Sequence, residues 1–348
     1  MYHFNRILSG LCVGALLAVS LSGCAGGGQS ASGGLPGGVT LREQSVPLAS
    51  TGAQDADLHD YIDLPDESAP TAAVNPVLDG LLLPQAAGTV TYGNATALID
   101  ASHTDQGYVM VKYAAGETKR IKVQVTRSGG TTYTYNLDAD GAYDVFPLSQ
   151  GSGAYQINVF RNVEGTRYAQ VLGQSVEVSL SDELLPFLYP NQYVNFNENS
   201  KTVAQAKTLC ADAGDELDKV SSVYNFVVGT ISYDYELAKT VPSTYLPDVD
   251  RVLAAKKGIC FDYAALMTAM LRSEGIPTKL VVGYTSRGEY HAWISVHISA
   301  VGWVNNVISF DGTSWKLMDP TFASTGKSSQ SVLDFINNSA NYTEKYCY

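Results

Sequence analysis

The spacing of apolar residues along the chain changes near residue 180. Before that point, apolar and polar residues alternate in four short runs, at Tyr108–Tyr113, 121–125, 155–159 and 176–178, with Gly, Asn and Asp between them. Alternation with a period of two places every second side chain on one face of a strand, and the intervening residues favour turns. The pattern therefore predicts an antiparallel β-sandwich over residues 89–181.

Turn residues support this prediction at two places. Gly129-Gly130 lies between two strand-like segments, 121–126 and 131–137, where a tight hairpin turn is expected. The polar stretch 136–144 has the first nine positions of a calcium-binding loop, but Pro147 stands where that loop needs a glutamate, so we interpret it as a second hairpin turn. The length and turn spacing fit an immunoglobulin-like sandwich, for which we predict no chemistry of its own.

Beyond residue 180 the apolar spacing becomes helical. Apolar residues recur three and four positions apart in four segments, 202–211, 216–228, 249–255 and 260–272. Strand-like runs follow, at 279–284, 291–298, 303–310 and 315–318. Helices followed by strands predict an α+β domain over 182–348, separate from the sandwich.

The N-terminal region has the features of an export signal. Residues 7–21 are apolar, follow Arg6, and end in Leu21-Ser-Gly-Cys24, which resembles a bacterial lipoprotein signal peptide. The resemblance implies removal of residues 1–23 and lipidation of Cys24, giving an exported protein anchored to the cell membrane and facing outside the cytoplasm. An ordinary secretory signal is the alternative. Residues 24–88 are rich in Gly and Ser and then in acidic residues, as in a flexible tether.

Three cysteines would remain in the folded part of an exported protein. They are Cys210, Cys260 and Cys347, whereas Cys12 lies inside the signal. An oxidising compartment permits disulfides, but three thiols cannot all pair within one chain. Either Cys210 is bonded to Cys347 and Cys260 stays free, or Cys210 and Cys347 are unpaired and buried. The sequence leaves both arrangements open.

Four motifs in the second domain carry the strongest chemical signal. They occur at short intervals in the order Gly258-Ile-Cys-Phe-Asp-Tyr263, Leu271-Arg-Ser-Glu-Gly-Ile-Pro277, His291-Ala-Trp293 and Asp319-Pro-Thr321. In this the chain resembles the transglutaminase-like superfamily over about residues 200–322. The resemblance implies a papain-like core in which Cys260 is the nucleophile, His291 the base, and Asp319 the residue that orients the histidine.

The residues themselves are suited to that chemistry. Cys260 stands in the first turn of a predicted helix, where free backbone N–H groups favour a thiolate and can bind an oxyanion. A buried, inert cysteine is the alternative reading of Cys260 taken alone. Asp319 precedes a proline, which holds the chain extended and would fix the carboxylate. His297 lies six residues after His291 on the same predicted strand and is interpreted as structural.

Tyr233, Tyr235 and Trp293 are candidates for an oxyanion donor or a substrate contact. Cross-linking transglutaminases place a Trp before the nucleophile for this task, whereas the first Trp of this chain is Trp293. Large aromatic residues on strands are also common core residues. The departure from the family pattern counts against protein cross-linking.

These features together predict a cysteine acyl-transfer enzyme that acts on peptide or amide bonds through a thioester. Water as the acceptor gives a peptidase or amidase, which we favour. An amine acceptor gives a protein-glutamine transamidase, and a non-catalytic surface binding protein with a degenerate papain-like scaffold is a further alternative. The expected partner is a protein or peptide, with cell-wall peptide as one candidate. No metal or cofactor is predicted, and the net charge of −12 argues against a nucleic-acid partner.

Overall fold

A computed structural model of the chain describes residues 39–40, 77–78, 80–116, 118–286, 288–300, 302–304, 308–310, 315–317 and 342–348. The described helices are α1 (Lys201–Leu209), α2 (Glu216–Thr230), α3 (Tyr235–Thr240), α4 (Val249–Ala255) and α5 (Cys260–Ser273). Single 3₁₀ turns lie at Thr104–Gln106 and Leu185–Phe187. The predicted signal, most of the predicted tether, the predicted lipidation site Cys24 and the candidate Asp319 lie outside the described residues.

The strands of the N-terminal half are β1 (Val39–Thr40), β2 (Val77–Leu78), β3 (Leu81–Leu82), β4 (Thr91–Gly93), β5 (Ala97–Asp100), β6 (Tyr108–Tyr113), β7 (Ile121–Arg127), β8 (Thr132–Leu137), β9 (Tyr143–Pro147), β10 (Gly153–Glu164) and β11 (Arg167–Val178). Those of the C-terminal half are β12 (Ser232–Tyr233), β13 (Lys257–Gly258), β14 (Thr278–Thr285), β15 (Tyr290–Ile298), β16 (Gly302–Val304), β17 (Ile308–Phe310), β18 (Trp315–Leu317) and β19 (Tyr342–Cys347). The predicted helices and strands are therefore present where they fall on described residues.

Two antiparallel sheets form the N-terminal half. Their strand orders are β1-β11-β10-β7-β8 and β4-β5-β6-β9. Alternate residues of both sheets, such as Val109 and Val111 on β6 and Val123 and Val125 on β7, are buried in the same core. The two sheets bury their apolar faces against each other, as the period of two predicts.

The two predicted turns have different outcomes. Around Gly129-Gly130 the chain forms a hairpin, because β7 pairs with β8 from Ile121↔Leu137 to Thr126↔Thr132. The polar stretch after β8 is not a hairpin: β8 belongs to one sheet and β9 to the other. Our prediction was wrong there because turn composition shows where a chain reverses but not which partner the next strand takes.

In the C-terminal half, helix α5 lies at the centre. It contacts α1, α2 and α4 as well as strands β14 and β15, and every residue from Asp262 to Ser273 is buried. The sheet has the order β16-β15-β14-β19. We did not predict strand β19 from the sequence, although it pairs along most of β14. Mixed helices and an antiparallel sheet give the α+β class that the sequence predicts.

The two halves share a continuous core. Tyrosines from β8, from the connecting segment and from the last strand contact one another, with ring centroids 4.4–6.4 Å apart: Tyr133, Tyr135, Tyr193, Tyr346 and Tyr348. Two hydrogen bonds cross the same junction. The Cys347 N–H donates to Tyr133 Oη at 3.1 Å, and Ser149 Oγ donates to the Cys347 carbonyl at 2.7 Å. The sandwich is thus packed against the second half rather than held beside it by a linker.

The segment before the sandwich also joins this core. Strands β2 and β3 form a short hairpin, Leu81 is buried, and β3 contacts α5. The Tyr108 hydroxyl accepts a hydrogen bond from the Gln85 N–H at 3.1 Å. The folded body therefore begins before residue 89. Among the described helices, none has the length and apolar character needed to cross a membrane.

A deeply buried cationic side chain ties three segments of the C-terminal half together. Arg272, at the end of α5, is 1% exposed. Its Nε, Nη1 and Nη2 atoms donate to the carbonyls of Thr278 at 2.8 Å, Tyr189 at 2.6 Å and Tyr348 at 2.7 Å. Burial lowers the pKa of the guanidinium to about 9, which still leaves it charged at neutral pH.

We expect Arg272→Met to lower the free energy of unfolding by about 3 kcal/mol or more, because three buried carbonyls lose a charged donor. Urea denaturation followed by circular dichroism measures the change. Arg167→Met is the matched control: its side chain is 58% exposed, so the effect should stay within about 0.5 kcal/mol. Equal stability of the two variants would contradict the role of Arg272.

Candidate active site

Cys260 is the first residue of α5, as predicted, and is partly exposed. The residue before it, Ile259, is the N-cap and has no polar side chain to cap the helix. Asp262 supplies the cap instead, because its Oδ2 accepts the Ile259 N–H at 2.9 Å. Other N–H groups of the first turn remain oriented along the helix axis, where they favour negative charge. The start of α5 is therefore fixed by the side chain of Asp262.

Asp262 is held by a hydrogen-bonded chain that reaches the surface. The Tyr245 hydroxyl donates to Asp262 Oδ1 at 2.6 Å, and Arg251 Nη2 donates in turn to the Tyr245 hydroxyl. Arg251 also lies 3.7 Å from Asp262 Oδ1. Burial raises the pKa of Asp262, while the bonds from Tyr245 and Ile259 oppose that rise. These hydrogen bonds thus offset the free-energy cost of burying the Asp262 carboxyl, which lies two residues after Cys260.

Gly258 is required by this arrangement. A Cβ atom there would lie 2.6 Å from Asp262 Cβ and 2.9 Å from Asp262 Oδ2. Real Cβ atoms do not approach other atoms so closely, so any side chain would displace the carboxyl that caps the helix. The Gly258-Ile-Cys-Phe-Asp motif is therefore a local structural unit: the glycine makes room for the aspartate, and the aspartate fixes the turn that carries Cys260.

A short parallel strand pair places the candidate tyrosines beside this unit. Strand β12 pairs with β13, with Tyr233 opposite Gly258, and the Asp234 N–H donates to the Gly258 carbonyl at 2.8 Å. The rings of Tyr233 and Tyr235 are 5.0 Å apart, and Tyr235 is 53% exposed. Tyr233 ends β12, and Tyr235 is the first residue of helix α3. Both tyrosines nevertheless lie next to the start of α5.

His291 is the second residue of β15 and pairs with Gly283 on β14. It is buried, whereas its neighbour Tyr290 is 53% exposed and its ring lies 5.4 Å from that of Tyr284. Since α5 packs against both β14 and β15, the structure brings the helix of Cys260 against the strand of His291. Asp319 lies outside the described residues, so its position relative to the other two stays a prediction.

Trp293 and His297 both pack against neighbouring groups. Trp293 is 2% exposed, and its ring lies over Gly283, where a Cβ atom would be only 2.8 Å away. It belongs to the sheet and not to an open groove wall. His297, interpreted as structural from the sequence, contacts the ring of Trp303 at 5.3 Å.

Cys210 and Cys347 are both unpaired and buried. The disulfide that the sequence allowed between them is not formed. Cys210 ends α1 near Lys219 and Glu274, while Cys347 lies in β19 opposite Val281, so they belong to different parts of the domain. Burial raises the pKa of Cys210 to about 11 and that of Cys347 to about 12. Both thiols therefore stay protonated near neutral pH.

Sequence reasoning missed the roles of Tyr245 and Arg251. Asp262 was part of a recognised motif, but Tyr245 lies seventeen residues before it in a segment without regular structure. A lone Tyr in such a segment gives no sequence signal for a buried contact. The first turn of α5 is thus built from more of the chain than the motif reveals.

Comparisons with known proteins agree with the motif-based resemblance. Residues 203–306 match the model of the transglutaminase-like superfamily, which confirms that the chain contains a domain of this kind. The uncharacterized protein YebA of Bacillus subtilis is 28% identical over 222 residues, which cover 57% of this chain. The match spans only 28% of YebA, so the chain corresponds to little more than a quarter of that relative.

Two solved structures also resemble the chain at low similarity. One is named "Putative Cysteine Protease" and comes from Cytophaga hutchinsonii; it shares 13% identity, with 74% of this chain and 78% of that chain covered and a TM-score of 0.35. The other is red sea bream transglutaminase, with 13% identity, 67% and 54% coverage and a TM-score of 0.29. Likeness at this level carries no argument about activity.

We expect iodoacetamide to modify Cys260 in the folded protein and to leave Cys210 and Cys347 untouched until the protein is unfolded. Burial shields these two thiols and keeps them protonated, and only a thiolate reacts quickly. Mass spectrometry of peptides after labelling with and without urea measures the difference. Two results would contradict this assignment of one accessible and two buried thiols. One is labelling of Cys347 in the folded protein as fast as that of Cys260, and the other is a Cys210–Cys347 disulfide in the unreduced sample.

Proposed function

We propose that this chain, which contains a transglutaminase-like domain, is an extracytoplasmic cysteine peptidase or amidase. The observation that supports it most is the placement of a partly exposed Cys260 at the N-terminus of a buried helix that packs against the strand of His291. Cys260 is partly exposed, whereas the other two described cysteines are buried. A thiolate at a helix N-terminus is an effective nucleophile toward carbonyl carbon.

The proposed reaction has two steps. The Cys260 thiolate attacks an amide carbonyl, and the tetrahedral intermediate collapses with cleavage of the C–N bond while the His291 imidazolium gives its proton to the leaving amine. Water then attacks the thioester, His291 takes a proton from it, and the products are a carboxylic acid and the regenerated thiolate. Asp319 would accept the other imidazole N–H and orient the ring.

Backbone N–H groups in the first turn of α5 are the proposed oxyanion donors, with Tyr233 or Tyr235 as the candidate side-chain partner. The pairing of Tyr233 with Gly258 supports this choice, since it holds the tyrosine pair next to the nucleophile's turn. We favour water over an amine as the acceptor, because Cys260 is partly open to solvent and the chain lacks the upstream Trp of cross-linking relatives.

We expect Cys260→Ala to lower amide hydrolysis by roughly three orders of magnitude or more, since the covalent step is lost. His291→Ala should have a comparable effect, and the double variant should be little worse than either single one, because residues that act together are not additive. The measurement compares peptides released from an envelope preparation by wild type and variants. Cys210→Ala is the control and should retain activity; product that persists after loss of Cys260 would refute the proposal.

Membrane attachment through Cys24 is a separate proposal, based on the resemblance of residues 1–24 to a lipoprotein signal. We expect Cys24→Ala to abolish incorporation of labelled palmitate and to move the protein from the membrane fraction to the soluble fraction, because a diacylglycerol anchor supplies the binding energy. Cys12→Ala, which changes a thiol within the predicted signal, should not have this effect. Membrane retention of the Cys24 variant would argue against the anchor.

A further inference from the structure

A groove that the proposed reaction does not use lies at the junction of the two halves. Its first part has a volume of about 300 Å³ and is bordered by β9 of the sandwich and by residues 190–198 of the connecting segment. Its second part, of about 370 Å³, continues past the same segment to residues 246–250, which precede and begin α4. Gln192, Asn195, Phe196 and Asn197 line both parts, so the two form one groove. Ligand sites are commonly of this size.

The lining is unusually rich in side-chain amides. Asn191, Gln192, Asn195 and Asn197 border the groove together with the ring of Tyr143. Amides each offer donors and an acceptor, while an aromatic ring offers a flat apolar surface. This combination suits a ligand that carries many hydroxyl groups on a partly apolar ring framework.

Two buried polar atoms in the groove have no hydrogen-bond partner among the described residues: Nδ2 of Asn191 and Oε1 of Gln192. Asn191 is only 5% exposed, and its Oδ1 accepts the N–H groups of Tyr193 and Val194, at 3.0 and 3.2 Å. Gln192 Nε2 donates to the Asn136 carbonyl and to Asp144 Oδ2, at 2.7 and 2.8 Å. These bonds fix both amide orientations. Both unpaired atoms are closed off from solvent, so the fixed amides serve as a rigid polar wall, and the amides open to a ligand are those of the exposed Asn195 and Asn197.

The charges in the groove select against ionic ligands. None of the described lining residues is Lys, Arg or His, and the nearby cation is Lys112, whose Nζ lies 4.8 Å from the centroid of the Tyr143 ring. One such ammonium is a weak site for phosphate or carboxylate groups. All four lining carboxylates already accept hydrogen bonds within the protein. Asp144 accepts from Gln192, Asp248 from the Arg251 N–H, and Asp250 from the first residues of α1. Glu198 accepts from Asn199 Nδ2 at 3.4 Å and is exposed, and an exposed carboxylate is a weak site for a basic peptide.

We propose that this groove binds a neutral polysaccharide chain. The second part of the groove reaches Leu246, next to Tyr245, whose hydroxyl holds the Asp262 cap of α5. A bound glycan would therefore pass along the segment that supports the first turn of α5. Binding is independent of the proposed reaction, because none of the groove residues is Cys260 or His291.

The test measures binding of chitin, cellulose and mannan oligosaccharides to the detergent-solubilised full chain by isothermal titration calorimetry. We expect saturable binding of at least one neutral oligosaccharide, and about a tenfold loss of affinity in Asn195→Ala, equivalent to one lost hydrogen bond of about 1.4 kcal/mol. Asn195 is exposed and lines both parts of the groove. Tyr143→Ala should weaken binding through loss of the ring.

Asn199→Ala is the matched control, since Asn199 is exposed on the same segment but does not line the groove; its affinity should equal that of wild type. Cys260→Ala should also bind normally, which separates this proposal from the catalytic one. Thermal unfolding of each variant confirms that it is folded. Three results would overturn the proposal. They are failure of all three saccharides to bind, equal effects of Asn195→Ala and Asn199→Ala, and preferential binding of a neutral unstructured peptide along the edge of β9.

Discussion

The fold of the C-terminal half depends on one buried cation, whose donors must be satisfied by backbone carbonyls. Arg272 ends the central helix and donates to carbonyls from the loop after α5, from the segment that leaves the sandwich, and from the last residue of the chain. Taking a guanidinium out of water is unfavourable unless its donors are satisfied. Those three carbonyls are satisfied only when the connecting segment and β19 are both in place. The side chain therefore couples the end of α5 to the correct assembly of two distant segments.

The opposite end of α5 is controlled by a buried anion. Asp262 is fully buried and is satisfied by the Ile259 N–H, by the Tyr245 hydroxyl and by the nearby Arg251. Because the helix is buried along its whole length from Asp262 onward, its axis cannot adjust without disturbing the core. Cys260 thus lies at the margin of the core on a turn that has little freedom. Restricted motion of this kind would favour the proposed nucleophilic role, because attack needs a preorganised geometry.

Local patterns in the sequence predicted most of the elements but not their pairing. Alternation identified β6, β7 and β10, and helical spacing identified α1, α2, α4 and α5 close to their observed bounds, because each pattern reflects burial of one face. Strand β19 was missed because Tyr, Lys and Glu dominate it and its burial depends on β14 and on the sandwich tyrosines. The sheet change between β8 and β9 was missed for the same reason: partner choice is a long-range property.

The candidate site shows the same division between local and long-range information. Motifs identified Cys260 and His291, and the predicted helix start at the cysteine is correct. The support of that helix start by Tyr245 and Arg251, and the placement of Tyr233 opposite Gly258, arise from tertiary contacts that no local spacing encodes.

Burial separates the three described thiols into two kinds. Cys210 and Cys347 lie where desolvation disfavours the thiolate, and its cost raises the pKa of each well above the ordinary value. Cys260 is instead partly exposed, at the N-terminus of α5. A family resemblance alone does not say which cysteine of a chain a substrate can reach. The difference in burial makes Cys260 the candidate, because the fold encloses the other two thiols and leaves this one at the margin of the core.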